Sequence, residues 1–324
     1  MQSTRFRKFG HPPDMLEAID SPTPQPAAGQ VRVRLLLAPI HNHELWTVRG
    51  NYGVRPPLPA TGGSEACGIV DALGDGVEGI VLGQRVAVAG ILGTWAEYFL
   101  APAKALVPLP DRIDDATAAQ LLSMPVSALM LLESLALQPG QWIIQNAANG
   151  AVGKTLAMIA RQRGVAVINL VRNKKAGAQL SELGLPHVIA TDAPDWKKTL
   201  RAPPDGAPIV AGIDSIGGSA SGDLLGLLGD GGILVSFGSM SGEPMQVSSG
   251  DLIFKQATIR GFWASRVTEV NGKSRVDLVR EIISLALQGA LPLPVEAIYP
   301  LADIKAAATA ALAGGRRGKI LLRT

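Results

Sequence analysis

Gly150 and Gly153 stand three residues apart in the run QWIIQNAANGAVGKTLAMIARQRGVAVINLVR, residues Gln141 to Arg172. This is the spacing of the second and third glycines of a dinucleotide-binding turn. The second lets the backbone approach a pyrophosphate, and the third lets the following helix pack on its strand. The helix start offers free N–H groups and a positive dipole to phosphate oxygens. The residues expected to face a cofactor here are Asn149, Gly150, Ala151, Val152 and Gly153. Ala148 stands where the pattern has its first glycine. Arg172 ends the next strand, nineteen residues past Gly153. A carboxylate at that place favours a free ribose hydroxyl, whereas a guanidinium attracts a 2′-phosphate. Asn173, Lys174 and Lys175 follow and add donors and charge, so the reading is NADP(H). The alternative is an ordinary β-α-β turn with a solvated basic end.

The elements that must hold this turn are legible around it. Trp142 to Gln145 and Val165 to Val171 are apolar enough for buried strands. Ala151, Val152, Leu156, Ile159 and Ala160 recur at helical spacing between them. Further strands are expected near 187–190, 209–213, 232–237 and 257–262, with helices between. Together these predict six strands of a doubly wound parallel sheet. Phe237, Gly238 and Ser239 follow one strand end, and Phe262 and Trp263 end the next, where open α/β sheets bind ligands. Ahead of this core, residues 1 to about 115 are β-rich. Val31 to Leu35 alternates, 66–73 and 84–89 read as strands, and 95–100 continues the series. Thr117 to Leu137 is helical with a break at Pro125. Asn271 to Gln288 and 302–313 are helical, and Lys319 to Leu322 closes as a strand. The expected organisation is a front domain over 1–115, completed by 290–324, and a nucleotide-binding domain over 116–289.

Composition narrows the function classes. The chain has 324 residues, 47% hydrophobic and 18% charged, with a net charge of +3. No apolar run reaches the roughly 18–20 residues of a membrane span. The cations are spread along the chain and are not interleaved with aromatics, which argues against nucleic acid. Met1 to Gly10 is basic but lacks the apolar stretch of a signal peptide, and it is short for a transit peptide. One cysteine, Cys67, excludes an intrachain disulfide and a multi-cysteine zinc site, and fits a reducing, cytoplasmic setting.

Val70-x-x-x-Gly74, Gly83-Gln84-Arg85-Val86 and AANGAVG at 147–153 resemble the medium-chain dehydrogenase/reductase superfamily. GTWAEY at 93–98, IIQNAANGAVGK at 143–154, INLVR at 168–172 and DLIFKQATIRGFWASR at 251–266 are similar to its zinc-free branch, the 2-enoyl thioester reductases and quinone oxidoreductases. The resemblance implies a GroES-like β-rich catalytic domain, a Rossmann domain, NADPH, no metal and a homodimer. It places Phe262 and Trp263 beside the nicotinamide, and Tyr52, in Gly50-Asn51-Tyr52-Gly53, near the substrate carbonyl. There a phenol hydroxyl would stabilise the charge that builds on oxygen as hydride reaches Cβ, and it would pass a proton to Cα. The other reading of Tyr52 is a packed ring with a wet hydroxyl. His41 and Asn42 follow the strand-like run Leu35 to Ile40 and are expected to face the nicotinamide end. The family has an Asn-Pro pair at 41–42 and a longer loop before Gly62, so the acyl pocket here is expected to differ. Zinc-bearing members have Cys, Gly-His-Glu and Cys where this chain has His41, Gly63-Ser64-Glu65 and Ser123. His41, His43, Glu44 and Glu65 together suggest a metal, but one His and two Ser do not make a catalytic zinc site, and such residues more often serve hydrogen bonding or the surface. Lys319, in Gly318-Lys319, fits a family tail pattern and reads as structural.

These readings predict an NADPH-dependent reductase of activated C=C bonds, with enoyl thioesters first. A quinone or enone oxidoreductase is the alternative on the same scaffold. A non-catalytic NADPH-binding protein is the alternative of another class.

Overall fold

The computed structural model describes residues 1–200, 203 and 206–324. In chain order its strands begin with β1 (Gln2–Arg5), β2 (Glu17–Asp20), β3 (Gln30–Pro39), β4 (Glu65–Leu73), β5 (Arg85–Ala89), β6 (Tyr98–Pro102) and β7 (Val107–Pro108). They continue with β8 (Trp142–Gln145), β9 (Ala166–Val171), β10 (Val188–Ala190), β11 (Ile209–Asp214), β12 (Ile233–Ser236) and β13 (Thr258–Gly261). Last come β14 (Glu269–Val270), β15 (Lys273–Ser274), β16 (Val295–Pro300) and β17 (Lys319–Arg323). The chain divides into two compact units, Met1–Ser123 with Ile283–Thr324, and Met124–Ile282.

The second unit is a six-stranded sheet in the order β10-β9-β8-β11-β12-β13. Every neighbouring pair is parallel. This is the doubly wound Rossmann order. β8 and β9 are almost continuous apolar runs because helices cover both faces of a parallel sheet. Ile144, Ile168, Leu170, Leu224 and Leu234 form its core. Helix Ala151–Gln162 buries Leu156, Ala157, Met158, Ile159 and Ala160.

The first unit is built on a seven-stranded sheet. Its order is β16-β17-β3-β4-β5-β7, and β6 pairs with β3. The carboxy-terminal strand β17 pairs with β3 through Leu321↔Pro39 and Leu322↔Ala38, so the tail completes the front sheet. Trp95, fully buried, donates its indole N–H to the Pro39 carbonyl at 3.1 Å. Phe6, Leu16, Leu35 and Ile40 pack in the same core. Cys67 lies on β4, paired with Ala87 of β5, and is fully buried; burial pushes its thiol up to about 12.

Three expectations need correction. The strand expected at 95–100 runs from Tyr98 to Pro102, because Ala96 instead bridges to Ser3 of β1. The helix expected from Asn271 starts at Arg275, after a hairpin of β14 and β15 whose turn residues Asn271 and Gly272 both have positive φ. The helical stretch 117–137 is two helices, Asp115–Ala118 and Met124–Ser134, with Pro125 in the first turn of the second. A proline is tolerated there because its missing N–H would have had no partner. Among the described residues no helix is long and apolar enough to cross a membrane.

Candidate active site

The residues expected to face a cofactor in the Rossmann unit lie at the carboxyl ends of β8, β9, β12 and β13. β8 ends at Gln145 beside Asn169 of β9, and the Ala148 N–H bonds the Leu170 carbonyl at 3.1 Å. That bond fixes the turn against the strand that delivers Arg172. Gly153 sits in the first turn of helix Ala151–Gln162. A Cβ there would lie 2.7 Å from the Ala148 carbonyl oxygen and 2.8 Å from its Cα. Only glycine lets the helix start approach the turn this closely. The left-handed position of the turn is Ala147, at φ 48°, one residue before the place where the motif's missing glycine was expected.

No side chain caps this helix at Gly150, so its first amides point outward without an internal oxygen. The Asn149 amide donates to Gln179 Oε1 at 2.6 Å, while Asn149 Oδ1 is buried and unpartnered. Its side chain is thus turned onto the next helix, and what it offers a cofactor is backbone. Arg172, Asn173, Lys174 and Lys175 are exposed. Asn173 Oδ1 accepts from the Ala176 N–H at 3.0 Å and caps helix Lys174–Glu182, so its oxygen serves the helix. Arg172, Lys174 and Lys175 crowd a helix start that carries no acidic residue in its first turn. Cations at a helix start oppose its dipole, and a bound phosphate relieves that conflict. This donor set and the glycine cradle fit a phosphorylated dinucleotide.

Phe237 and Gly238 both bond the Asp214 carbonyl through their N–H groups, and a Cβ on Gly238 would meet the Ser215 carbonyl oxygen at 2.8 Å. This glycine is required by the neighbouring loop, a different reason from the close cofactor approach expected of it. Ser239 is exposed beside it. Phe237 and Phe262 face each other with ring centroids 6.3 Å apart, and the Arg266 guanidinium lies 5.3 Å from the Trp263 ring centroid. Asp214 holds its own loop: its carboxylate accepts from Asn146, Ile216, Gly217 and Ser221.

The front unit carries a second cluster, and the sequence had marked only part of it. β3 ends before His41, helix Asn42–Arg49 follows, and β4 starts at Glu65. His41, fully buried, places Nε2 2.7 Å from Glu65 Oε2. Glu65 Oε1 accepts the N–H groups of Leu122 and Ser123 at 2.6 and 2.8 Å. Glu44 reaches back to the His41 N–H at 2.7 Å, and its other oxygen accepts both the N–H and the hydroxyl of Ser64. His43 Nε2 lies 2.8 Å from Ser64 Oγ. Its ring stacks on His41 at 5.2 Å and 17°, and the Tyr52 ring lies against it at 5.5 Å and 37°. Asn42 is exposed at the start of the helix.

Burial pushes Glu44 up to about 7 and Glu65 up to about 8, against the hydrogen bonds that hold them. Burial likewise pushes His43 down to about 4 and His41 well below its ordinary value, with Lys319 adding to both. Lys319, at the start of β17, is itself pushed down to about 8 by burial. The sequence had weighed His43 and Glu44 only as part of a possible metal group with His41 and Glu65, and had read Lys319 as structural; the hydrogen-bonded cluster they form was not foreseen.

Two family models match the chain. "Alcohol dehydrogenase GroES-like domain" matches residues 27–111, and "Zinc-binding dehydrogenase" matches 151–279. The residues where zinc would be held do not fit that metal. His41 Nε2 and both oxygens of Glu65 are already engaged with each other and with backbone amides. Serine hydroxyls at 64 and 123 are poor substitutes for imidazole and thiolate. No group of three or more His, Cys, Asp or Glu among the described residues is arranged to hold a metal ion. The human mitochondrial enoyl-[acyl-carrier-protein] reductase is 34% identical over 317 residues, covering 94% of this chain and 84% of the relative. The Escherichia coli quinone oxidoreductase, solved in complex with NADPH, superposes with a TM-score of 0.90 at 26% identity, with 100% of both chains covered. The mitochondrial 2-enoyl thioester reductase heterodimer of Candida tropicalis shares the fold at a TM-score of 0.84 and 23% identity, covering 100% of this chain and 99% of that one. A two-unit fold matched along its whole length, and a relative one-third identical across nearly all of it, place this chain in the enoyl reductase family of the medium-chain dehydrogenase/reductase superfamily.

Proposed function

We propose that this protein is an NADPH-dependent reductase of activated C=C bonds, acting first on trans-2-enoyl thioesters and using no metal. The observation that carries the reading is Tyr52 packed on a buried His-Glu cluster at the place where a zinc-bearing relative would keep its ligands. The front unit takes the catalytic role and the Rossmann unit the NADP(H)-binding role. Asn149 to Gly153 offer backbone donors to the pyrophosphate, and Arg172 with Asn173, Lys174 and Lys175 takes the 2′-phosphate. Phe237, Gly238, Ser239, Phe262, Trp263 and Asn42 border the nicotinamide. When bound, the dihydronicotinamide supplies the hydride for Cβ of the substrate. The Tyr52 hydroxyl donates a hydrogen bond to the carbonyl oxygen, where charge builds, and passes its proton to Cα.

Steady-state NADPH oxidation against crotonyl-CoA, enones and quinones tests this. Consumption with the enoyl thioester is expected. Consumption with quinones alone supports the second reading, an NADPH:quinone or enone oxidoreductase, which is favoured by the full-length match to the quinone oxidoreductase fold. Tight NADPH binding with no turnover would leave a non-catalytic binding protein. The human and Candida tropicalis relatives are mitochondrial, whereas the reading here is a homodimer in the cytoplasm. Light scattering of the purified chain and imaging of the full-length chain in its own cell test those two points.

A further inference from the structure

The hydrogens of the front cluster can be assigned one by one. With Glu44 ionised, Ser64 Oγ donates its single hydrogen to Glu44 Oε1 at 2.7 Å. The 2.8 Å contact between Ser64 Oγ and His43 Nε2 is therefore made by the imidazole's hydrogen. Neutral His43 is held as the Nε2–H tautomer, and the lone pair is on Nδ1. The sealed, unpartnered side-chain atoms among the described residues are Thr4 Oγ1, Arg5 Nε, His41 Nδ1 and Asn149 Oδ1. His43 Nδ1 is not one of them: solvent reaches it, and no described residue is hydrogen-bonded to it. The ring itself cannot swing. Ser64 holds Nε2, the fully buried His41 stacks on the ring, and the Tyr52 ring packs against it at a tilt. An imidazole with one nitrogen wired to a carboxylate through a hydroxyl, and a tyrosine ring packed against it, is placed to carry a proton.

We propose that His43 returns the proton to Tyr52 in each turnover, a positioning residue that acts through the tyrosine. The proposal rests on the reductase reading above. Once hydride has reached Cβ, the C=C π electrons reside in the enolate. The Tyr52 O–H bond then breaks, a C–H bond forms at Cα, and a phenolate remains. A solvent proton adds to His43 Nδ1 and passes from there to the phenolate oxygen, directly or through one water. The substrate gains one hydride and one solvent proton, and Tyr52 and His43 end as they began. Burial and Lys319 hold His43 at about 4, which keeps the resting ring neutral with its acceptor open. A phenolate appearing against the ring favours the imidazolium, as does the Glu44 carboxylate behind Ser64. The charge that creates the need for a proton thus recruits it.

His43→Phe keeps a stacked ring and removes both nitrogens. Its kcat with the enoyl thioester should fall about tenfold or more, within the scale of general acid–base contributions. KM and NADPH affinity should stay within about twofold, since a step after hydride transfer adds little to binding. Imidazole or other small buffer acids should restore kcat in proportion to their concentration. Tyr52→Phe should show no such rescue, because it forms no phenolate. If His43→Phe does not fold, His43→Gln keeps an amide donor for Ser64 without a transferable proton, and the same readouts apply. An unchanged kcat overturns the relay, and so does a loss that no buffer restores. A wild-type chain that reduces no enoyl thioester, enone or quinone overturns the reductase reading and the relay together. An active wild type with an unaffected His43 variant overturns the relay alone.

Discussion

Each unit of this protein holds a cluster of two glutamates with cations nearby, and the two behave in opposite ways. In the front unit, Glu44 and Glu65 are pushed up to about 7 and about 8. In the Rossmann unit, Glu133 and Glu281 are held below the usual carboxylate range. Burial is only part of the difference: Glu281 is 29% exposed, but Glu133 is only 5% exposed. Burial pulls Glu133 upward too, but Lys273 at 2.6 Å, Asn271 at 3.0 Å and Arg163 at 2.7 Å outweigh it. Glu65 has instead a neutral imidazole and two backbone amides. A full positive charge at contact distance fixes a carboxylate in its ionised form, whereas neutral donors leave it near the balance point. The Rossmann cluster is therefore a structural tie. The front cluster is poised to exchange protons at neutral pH, a condition that acid–base chemistry requires.

That contrast supports the proposed division of chemistry to one unit and binding to the other, and substitutions can break it. The largest effect is expected from Tyr52→Phe, with kcat reduced about tenfold to a thousandfold, the range for one lost oxyanion donor or general acid. NADPH affinity, measured by fluorescence titration, should not move. A weakened cofactor with unchanged kcat would reverse the assignment. Next is Arg172→Ala, expected to weaken NADPH about ten- to a hundredfold, the equivalent of about 1.5–3 kcal/mol for a charge-assisted contact. NADH binding should hardly change, and equal weakening of both would make Arg172 structural. Glu133→Gln should leave kinetics intact and cost about 1–2 kcal/mol in urea unfolding, a figure reduced for the solvent that reaches Lys273.

The smallest effect is the pH dependence, and its sign differs between the clusters. Folded-state values of about 7 and 8, against an ordinary 4.5, mean that the native front unit holds its carboxyl protons more tightly. That contribution is complete below pH 4.5 and is lost as pH rises through about 7 and 8. His41 and His43 run the other way, losing theirs as pH falls below the ordinary 6.5. Lys319, lowered from 10.5 to about 8, contributes fully only above 10.5. Between pH 6.5 and 8 the glutamates dominate, so the urea midpoint should fall across that window. Glu65→Gln should flatten the fall. For Glu133 and Glu281 the contribution is present above 4.5 and lost only in acid. A wild-type midpoint that is level from pH 6.5 to 8 would remove the contrast.

The Rossmann sheet was the most legible part of the chain. Strands expected at 142–145 and 165–171 are found at 142–145 and 166–171, because a strand buried on both faces must be apolar throughout. The hairpin before helix Arg275–Leu287 had a signal in its Asn271-Gly272 pair, a favoured two-residue turn, which the helical periodicity masked. β1 and β2 gave none: each is four residues long, and the two make a two-stranded sheet of their own. At the candidate site, the glycine spacing and Arg172 were the signals for the proposed nucleotide end, since backbone geometry and phosphate charge restrict residue type at such a place. His43 could not be read this way. Its meaning depends on Ser64, twenty-one residues away, and on which hydrogen that serine has already given to Glu44.

Cys67 has a bearing on self-damage. Enoyl thioesters, enones and quinones are electrophiles that alkylate thiolates, so a reductase handling them is exposed to inactivation by its own substrates. This chain has one sulfhydryl to lose. It lies on β4 between β3 and β5, sealed from solvent, and its thiol is pushed up to about 12, so at neutral pH the nucleophilic form is all but absent. The native protein should tolerate prolonged turnover and stoichiometric Michael acceptors without forming an adduct, and adduct formation at Cys67 would then report unfolding.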